Sequence, residues 1–319
     1  MAQKPPEGAG GWGSSPWAGS LAAVGQWLAG PTADGDLAAL AKTLGLRPAV
    51  LAGLRLGTGP YHYRCHTIAK RDGRRRVLHV PSPALKDLQR RLVTHYLRTL
   101  ASHPAATAFA PQCSIVHHAR RHRGQVWLIT ADLVDFFTHT QAGRVRGFWA
   151  SQGFHGRALD VLMRLTVQGG GLPQGAPTSP YLSNLVNVDL DNALEALAQT
   201  AGGRYSRYGD DLAFSFPKDW SPARDLPAFE TALGQGVQAV GYTLQRHKGL
   251  RVQRLSRGAL ITGVVMDQRG RLRPPPSMGR RIRWLRFCQW WRPNPTRAAR
   301  LRGYRGFVKQ WSRGIIKNR

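Results

Sequence analysis

Acidic residues are scarce in this chain: 17 Asp and Glu stand against 46 Lys and Arg, for a net charge of +29 over 319 residues. That excess is far beyond what solubility needs, and it predicts strong, salt-sensitive attraction to a phosphate backbone. Cysteine is almost as rare. Cys65, Cys113 and Cys288 are too few and too scattered for a disulfide framework or a four-ligand zinc site, as expected of a reducing compartment. No apolar run approaches the roughly 18 residues of a membrane span, and Gly25 and Gln26 interrupt the best N-terminal stretch, so no secretory signal is read there. These absences predict a cytoplasmic protein with no membrane partner. With 42% hydrophobic residues, the chain has enough for a real core.

The few acidic residues are not spread evenly. Two are adjacent in Tyr208-Gly209-Asp210-Asp211, and another pair falls in Ala131-Asp132-Leu133-Val134-Asp135-Phe136-Phe137. Neighbouring carboxylates repel, and a fold that keeps them together usually has cations to hold; their oxygens suit Mg²⁺. Two such ions clamp both the attacking and the leaving oxygen of an in-line phosphoryl transfer, which is polymerase or nuclease chemistry. Tyr205 and Tyr208 before the pair, and Leu212, Phe214 and Phe216 after it, read as strands flanking a tight turn. Val126-Trp127-Leu128-Ile129 reads as a buried strand that delivers Asp132 at its end. The plainer alternative is a solvated turn, since Gly and Asp are favoured turn residues.

Residues 1–19, rich in Gly, Ser and Pro, are expected to lack a fixed fold. Leu37, Leu40, Ala41 and Leu44 recur at helical spacing, with Asp36 placed to cap the helix and Gly45 to close it. Tyr61–Ile68 and Val77–Val80 read as strands joined by the basic turn Lys70-Arg71-Asp72-Gly73-Arg74-Arg75-Arg76. A helix follows from Pro83 to Leu100. The Gly169–Pro180 stretch is a shaped loop, with Ser179 and Pro180 opening a helix that carries Leu182, Leu185, Val186, Leu190, Leu194 and Leu197. From Gln268 to Arg319 there are 16 basic residues and no acidic one, interleaved with Trp284, Trp290, Trp291, Tyr304 and Trp311. Cations to follow a backbone and aromatic faces to stack suit nucleic acid; Trp284 and Trp311 are expected in the core of a terminal helical bundle.

Asp132-Leu133-Val134-Asp135-Phe136-Phe137, then Leu172-Pro173-Gln174-Gly175-Ala176-Pro177-Thr178-Ser179-Pro180 with Leu182-Ser183-Asn184-Leu185, then Arg207-Tyr208-Gly209-Asp210-Asp211-Leu212, resemble in order and spacing motifs A, B and C of a reverse transcriptase. More narrowly, the chain resembles the bacterial retron reverse transcriptases, through Tyr63-Arg64, His118-Ala119-Arg120-Arg121-His122 and Ile261-Thr262-Gly263. The family usually has Ala where this chain has Gly209, and Asn where it has His118. His118 and His122 are spaced i, i+4, with no further ligands evident for a metal.

The resemblance implies an α+β right-hand polymerase: an N-terminal helical segment (1–57), fingers and palm (58–267) and a basic helical thumb (268–319). It implies that Asp132, Asp210 and Asp211 ligate two Mg²⁺ ions and that deoxynucleoside triphosphates are the substrates. Phe137 would be the steric gate against a ribose 2′-OH, Gln174 would contact the incoming nucleotide, Arg74 and Arg76 would clamp its phosphates, and Lys248 would protonate the leaving pyrophosphate. Asp135 is expected to be structural. Further implied are a structured noncoding RNA as template and primer, an RNA–DNA hybrid product, priming from a guanosine 2′-OH, a branched RNA-linked single-stranded DNA, and a role in anti-phage defence with an accessory effector protein. Another bacterial reverse transcriptase, of group II intron or defence type, remains the main alternative, and a noncatalytic RNA-binding protein a distant one.

Overall fold

The computed structural model describes residues 33–313, apart from 55–58, 70–72, 74, 112, 246 and 248. The expectations for the first 19 residues, most of the basic turn, Arg74 and Lys248 therefore fall outside the described residues.

Helix α1 (Ala33–Leu44) buries Leu37, Leu40, Ala41 and Leu44 along one stripe, as their spacing requires. Gly45, at φ +65°, ends it in the left-handed conformation that suits glycine, with the Leu46 N–H donating to the Ala41 carbonyl at 2.8 Å. Asp36 does not cap this helix. It lies inside it, and its carboxylate instead accepts from the His155 N–H at 3.2 Å. After α2 (Pro48–Ala52), strands β1 (Tyr63–Ala69) and β2 (Arg75–Pro81) form an antiparallel ribbon exposed along most of its length. Ser82 then caps α3 (Pro83–His95), which packs Leu85, Leu88 and Leu92 into a helical core with Trp149, Leu162 and Leu165.

The chain continues through α4 (Ile115–Arg120), β3 (Trp127–Asp132), α5 (Phe136–His139), α6 (Ala142–Ser151), α7 (Gly156–Thr166), α8 (Ser179–Leu185) and α9 (Val188–Thr200). One continuous helix was expected from Ser179 to Leu197. The break falls at Asn187, whose buried amide donates to the Ser183 carbonyl at 2.8 Å and accepts from the Tyr242 hydroxyl at 2.8 Å. These bonds offer the side chain a non-helical arrangement that apolar periodicity does not reveal. Strands β4 (Arg204–Tyr208) and β5 (Asp211–Phe216) follow, then α10 (Pro222–Ala239) and β6 (Arg251–Arg254). The four strands form an antiparallel sheet in the order β4-β5-β3-β6. Its core joins Ile129, Phe214 and Phe216 to Leu190, Leu194 and Phe229 of the covering helices.

A second sheet of β7 (Ala259–Ile261), β8 (Val264–Met266) and β9 (Leu272–Arg273) leads to two basic helices, α11 (Pro276–Trp291) and α12 (Pro295–Arg313). Trp311 is buried as expected, but among Val116, Ile261 and Met266 of α4, β7 and β8 and not in a purely helical bundle. Trp284 is 58% exposed, contrary to expectation. Arg280, Arg281, Arg283 and Arg286 break up any apolar stripe on α11, which buries Leu285 alone.

Two buried polar systems fix the hairpin of β4 and β5. In one, the fully buried Arg207 meets Asp191 of α9 through two bonds, Nε to Oδ1 at 2.8 Å and Nη2 to Oδ2 at 2.6 Å, while the Tyr205 hydroxyl donates to the same carboxylate at 2.9 Å. Burial works against the Arg207 charge, but Asp191 outweighs it and holds the guanidinium firmly protonated. In the other, His122 Nδ1 meets the Ser215 hydroxyl at 2.7 Å and its Nε2 meets Ser206 at 2.8 Å, while His118 Nδ1 contacts Ser206 and Thr107, each at 2.9 Å. The i, i+4 histidines are thus held by hydroxyls. Burial, and then the charges of Arg121 and Arg204, push the His122 pKa down to about 3.

Asp191→Ala leaves the Arg207 charge buried and unpaired, so it should cost about 3–5 kcal/mol, read as a lower midpoint in urea unfolding. An Asp191→Leu, Arg207→Met double variant should lose less than the single one. His122 stays neutral in the folded protein and protonates near its usual pKa of about 6.5 when unfolded. The unfolded state therefore binds more protons, and this part of the stability, present above about pH 6.5, is lost as pH falls toward 3. His122→Gln should be less sensitive to acid across that window than the parent in urea unfolding at matched pH.

Candidate active site

The two residues between β4 and β5 are Gly209 and Asp210, so the expected tight turn is there. Gly209 sits at φ +67°, where the alanine usual in the resembled family is strained; glycine suits this turn better. In the ladder Asp132 of β3 lies directly opposite Asp211 of β5, and the Leu133 N–H donates to the Asp210 carbonyl at 3.0 Å. On its other side the Asp132 carbonyl accepts from Gln245 N–H at 2.8 Å. All three aspartates therefore meet at one end of the sheet, but they do not all face the same way.

Asp132 and Asp210 line a pocket of about 430 Å³ together with Phe137, Gln174, Arg75 and Arg76. Asp132 and Asp211 line a second cavity together with His118, Arg251 and Thr262. Phe137, Gln174 and Arg76 all line the first pocket. Arg75, which the family resemblance did not single out, lines it too. His79 and Asp135 also line it. Asp135, expected to turn away, is in the left-handed conformation at φ +41°, ψ +46°. The run of basic residues was the only sequence signal for Arg75, and nothing in the sequence pointed to His79.

Backbone bonds hold these parts in register. The His79 N–H donates to the Gln174 carbonyl at 2.8 Å, joining β2 to the loop after Gly169, and the Leu172 N–H donates to the Phe137 carbonyl at 3.1 Å. Two glycines permit this closeness. A Cβ on Gly175, at φ +120°, would press on the His79 carbonyl, and one on Gly171 would collide with the carbonyl of Thr138. Behind the hairpin, burial and the nearby Asp211 push the Tyr208 pKa up, so its hydroxyl stays protonated.

Like charges directly opposite in a ladder destabilise it unless something compensates, and Asp132 and Asp211 stand in that register. Among the described residues no three His, Cys, Asp or Glu side chains gather closely enough to hold a metal by themselves. Two carboxylates lining one pocket, with arginines beside them, fit a hard cation that keeps several waters and takes the rest of its oxygens from a phosphate substrate. No described helix is long and apolar enough to cross a membrane.

Comparison with known proteins agrees with this arrangement. Residues 68–254 match the family described as reverse transcriptase (RNA-dependent DNA polymerase). The retron Mx162 reverse transcriptase of Myxococcus xanthus is 32% identical over 271 residues, covering 76% of this chain and 56% of that protein. The retron Mx65 reverse transcriptase of the same organism is 36% identical over 227 residues, covering 65% of this chain and 51% of its own. The chain thus spans about half the length of these curated relatives. A telomerase from Candida albicans, solved with a fragment of telomeric RNA, is a distant structural neighbour, with a TM-score of 0.48 and 10% identity over 72% of this chain and 47% of that one. With motifs A, B and C inside the matched span, and retron enzymes among its relatives as the sequence led us to expect, the chain belongs to the reverse transcriptase family.

Proposed function

We propose that this protein is an RNA-directed DNA polymerase of retron type. The observation that carries the reading is that one pocket is lined by Asp132 and Asp210, by Arg75 and Arg76, and by Phe137 and Gln174. In the reaction, a primer hydroxyl oxygen bonds to the α-phosphorus of a deoxynucleoside triphosphate, the bond from that phosphorus to the bridging oxygen breaks, pyrophosphate leaves and the hydroxyl proton is released. Arg75 and Arg76 draw in the triphosphate. Asp132, Asp210 and Asp211 would hold Mg²⁺. When bound, the ions lower the pKa of the primer hydroxyl and neutralise phosphate charge. The Phe137 ring closes the sugar side of the pocket, and Gln174 lies on the wall bonded to β2. Arg74 and Lys248 take the phosphate-binding and proton-donating roles that the family resemblance implies.

The proposed template and primer is a structured noncoding RNA, and the product an RNA–DNA hybrid. Residues 58–267 act as fingers and palm, residues 268–319 as a basic thumb, and residues 1–57 as a helical N-terminal segment. The thumb reading is supported by α11, whose arginines surround Phe287, Trp290 and Trp291, rings that are 59%, 76% and 66% exposed. Exposed rings among cations suit stacking on bases and tracking a backbone. From the likeness to retron enzymes we further propose priming from a guanosine 2′-OH, a branched RNA-linked DNA, and anti-phage defence with an effector protein.

Expression with native flanking DNA, followed by RNase, DNase and debranching treatment of the co-purifying nucleic acid, tests the reading. A discrete DNA that shifts on debranching is expected. Magnesium-dependent primer extension without such DNA would leave a polymerase that is not a retron enzyme. Asp210→Ala should reduce extension on a primed RNA template to background while leaving the urea midpoint near that of the parent. Phe137→Val should raise ribonucleotide incorporation relative to deoxynucleotide by roughly ten- to two-hundredfold, the range for one change in the shape of an apolar pocket, measured as the ratio of kcat/KM for the two triphosphates.

A further inference from the structure

Phe109 keeps a backbone conformation that its side chain makes costly. Its φ is +60°, in the left-handed region, where a bulky residue other than glycine is an outlier. The peptides just before it are anchored to two other segments. The Thr107 N–H donates to the Arg207 carbonyl of β4 and the Arg207 N–H to the Ala105 carbonyl, both at 2.8 Å. The buried Asn184 amide of α8 donates to the Ala108 carbonyl at 2.6 Å. Burial of its own side chain does not explain the arrangement, since Phe109 remains 39% exposed. Strain of this kind persists only where the surrounding structure imposes it, and it gathers at functional sites.

What the conformation achieves is a placement of the ring. Its centre lies 6.3 Å from that of the Phe137 ring and 6.4 Å from that of Tyr208. A Cβ on Gly209 would stand 3.8 Å from the same ring. Phe109 therefore joins the sugar side of the nucleotide pocket to the catalytic hairpin. Phe137 stands on α5, a helix of four residues, and packs against the helical core and against Phe136, its neighbour in sequence. A ring carried by so short a helix excludes a hydroxyl only if it cannot tilt away when one presses on it. Close-packed side chains resist such a shift because a displaced ring needs room, and beside Phe137 part of that room is taken by Phe109.

We propose that Phe109 is a positioning residue for sugar selection: its ring braces Phe137 against the hairpin, so that a 2′-OH on the incoming nucleotide cannot push the gate aside. The strained backbone at Phe109 is then a loss of stability that accompanies selectivity, a common trade at functional sites. This rests on the reading of Phe137 as the steric gate, and it makes that gate depend on a segment outside motifs A, B and C.

Glycine separates this role from a structural one, because it removes the ring and also suits φ +60°. In the full chain, Phe109→Gly should keep a urea midpoint close to the parent's. Its ratio of kcat/KM for ribonucleoside over deoxynucleoside triphosphates, on a primed RNA template, should rise about tenfold, the low end of the range for reshaping an apolar pocket. Phe109→Tyr keeps the ring and should retain the parent ratio. In the Phe137→Val background Phe109→Gly should add nothing further, since residues that act through one another are not additive. Phe109→Leu fills part of the space and should show a smaller rise; it carries the test if the glycine variant fails to fold. A ratio unchanged in Phe109→Gly while Phe137→Val still raises it would overturn the proposal and leave the gate reading standing, as would full additivity of the two substitutions. An unchanged ratio in Phe137→Val as well would bring down both.

Discussion

A guanidinium and a carboxylate with no solvent around either hold the catalytic hairpin to the rest of the molecule. Arg207 sits two residues before the turn, and its side chain reaches Asp191 of the covering helix, the Gly209 carbonyl within the turn at 3.2 Å, and the face of Phe136 at 5.2 Å. Its own carbonyl accepts from the Thr107 N–H and hydroxyl, both at 2.8 Å. One residue thus links motif C, the helix after motif B, the ring that begins α5 beside motif A, and the segment leading to α4. Such a pair adds little net stability compared with apolar residues of the same size, because two ions have been desolvated. What it provides is position: only one placement of the hairpin satisfies both charges.

The chemistry was legible where it depends on local rules. A glycine before two acidic residues, between alternating apolar strands, has few conformations open to it, and the hairpin formed as expected, with the Gly209 backbone in the left-handed region. Strand β3 delivered Asp132 for the same reason. The expectations that failed concerned interactions distant in sequence. Asn187 interrupts a run of well-spaced leucines where the hydroxyl of Tyr242, 55 positions on, donates to its amide oxygen. Asp36 serves the backbone at His155, more than a hundred positions away. Trp284 was expected inside because tryptophan usually is, yet the arginines around it leave α11 no face to bury.

The residues around the two cavities divide the same way. Phe137 and Gln174 could be placed from motifs, whereas the loop bond that brings Gln174 beside β2 depends on a glycine so close to His79 that no side chain fits. His118 looked from spacing alone like half of an incomplete metal pair. In the fold its Nδ1 instead meets the hydroxyls of Thr107 and Ser206, contributed by other segments.

The pocket between Asp132, Asp210, Arg75 and Arg76 has walls of opposite sign. A lone cation entering it is drawn to one wall and repelled by the other, and so is a lone triphosphate. The two together leave each wall facing its complement. Binding of either ligand therefore lowers the free energy of binding the other, and by linkage the effect is equal in both directions. Under the proposed polymerase reading, the pocket would be a receptor for a salt, taking metal and nucleotide together in preference to either ion alone.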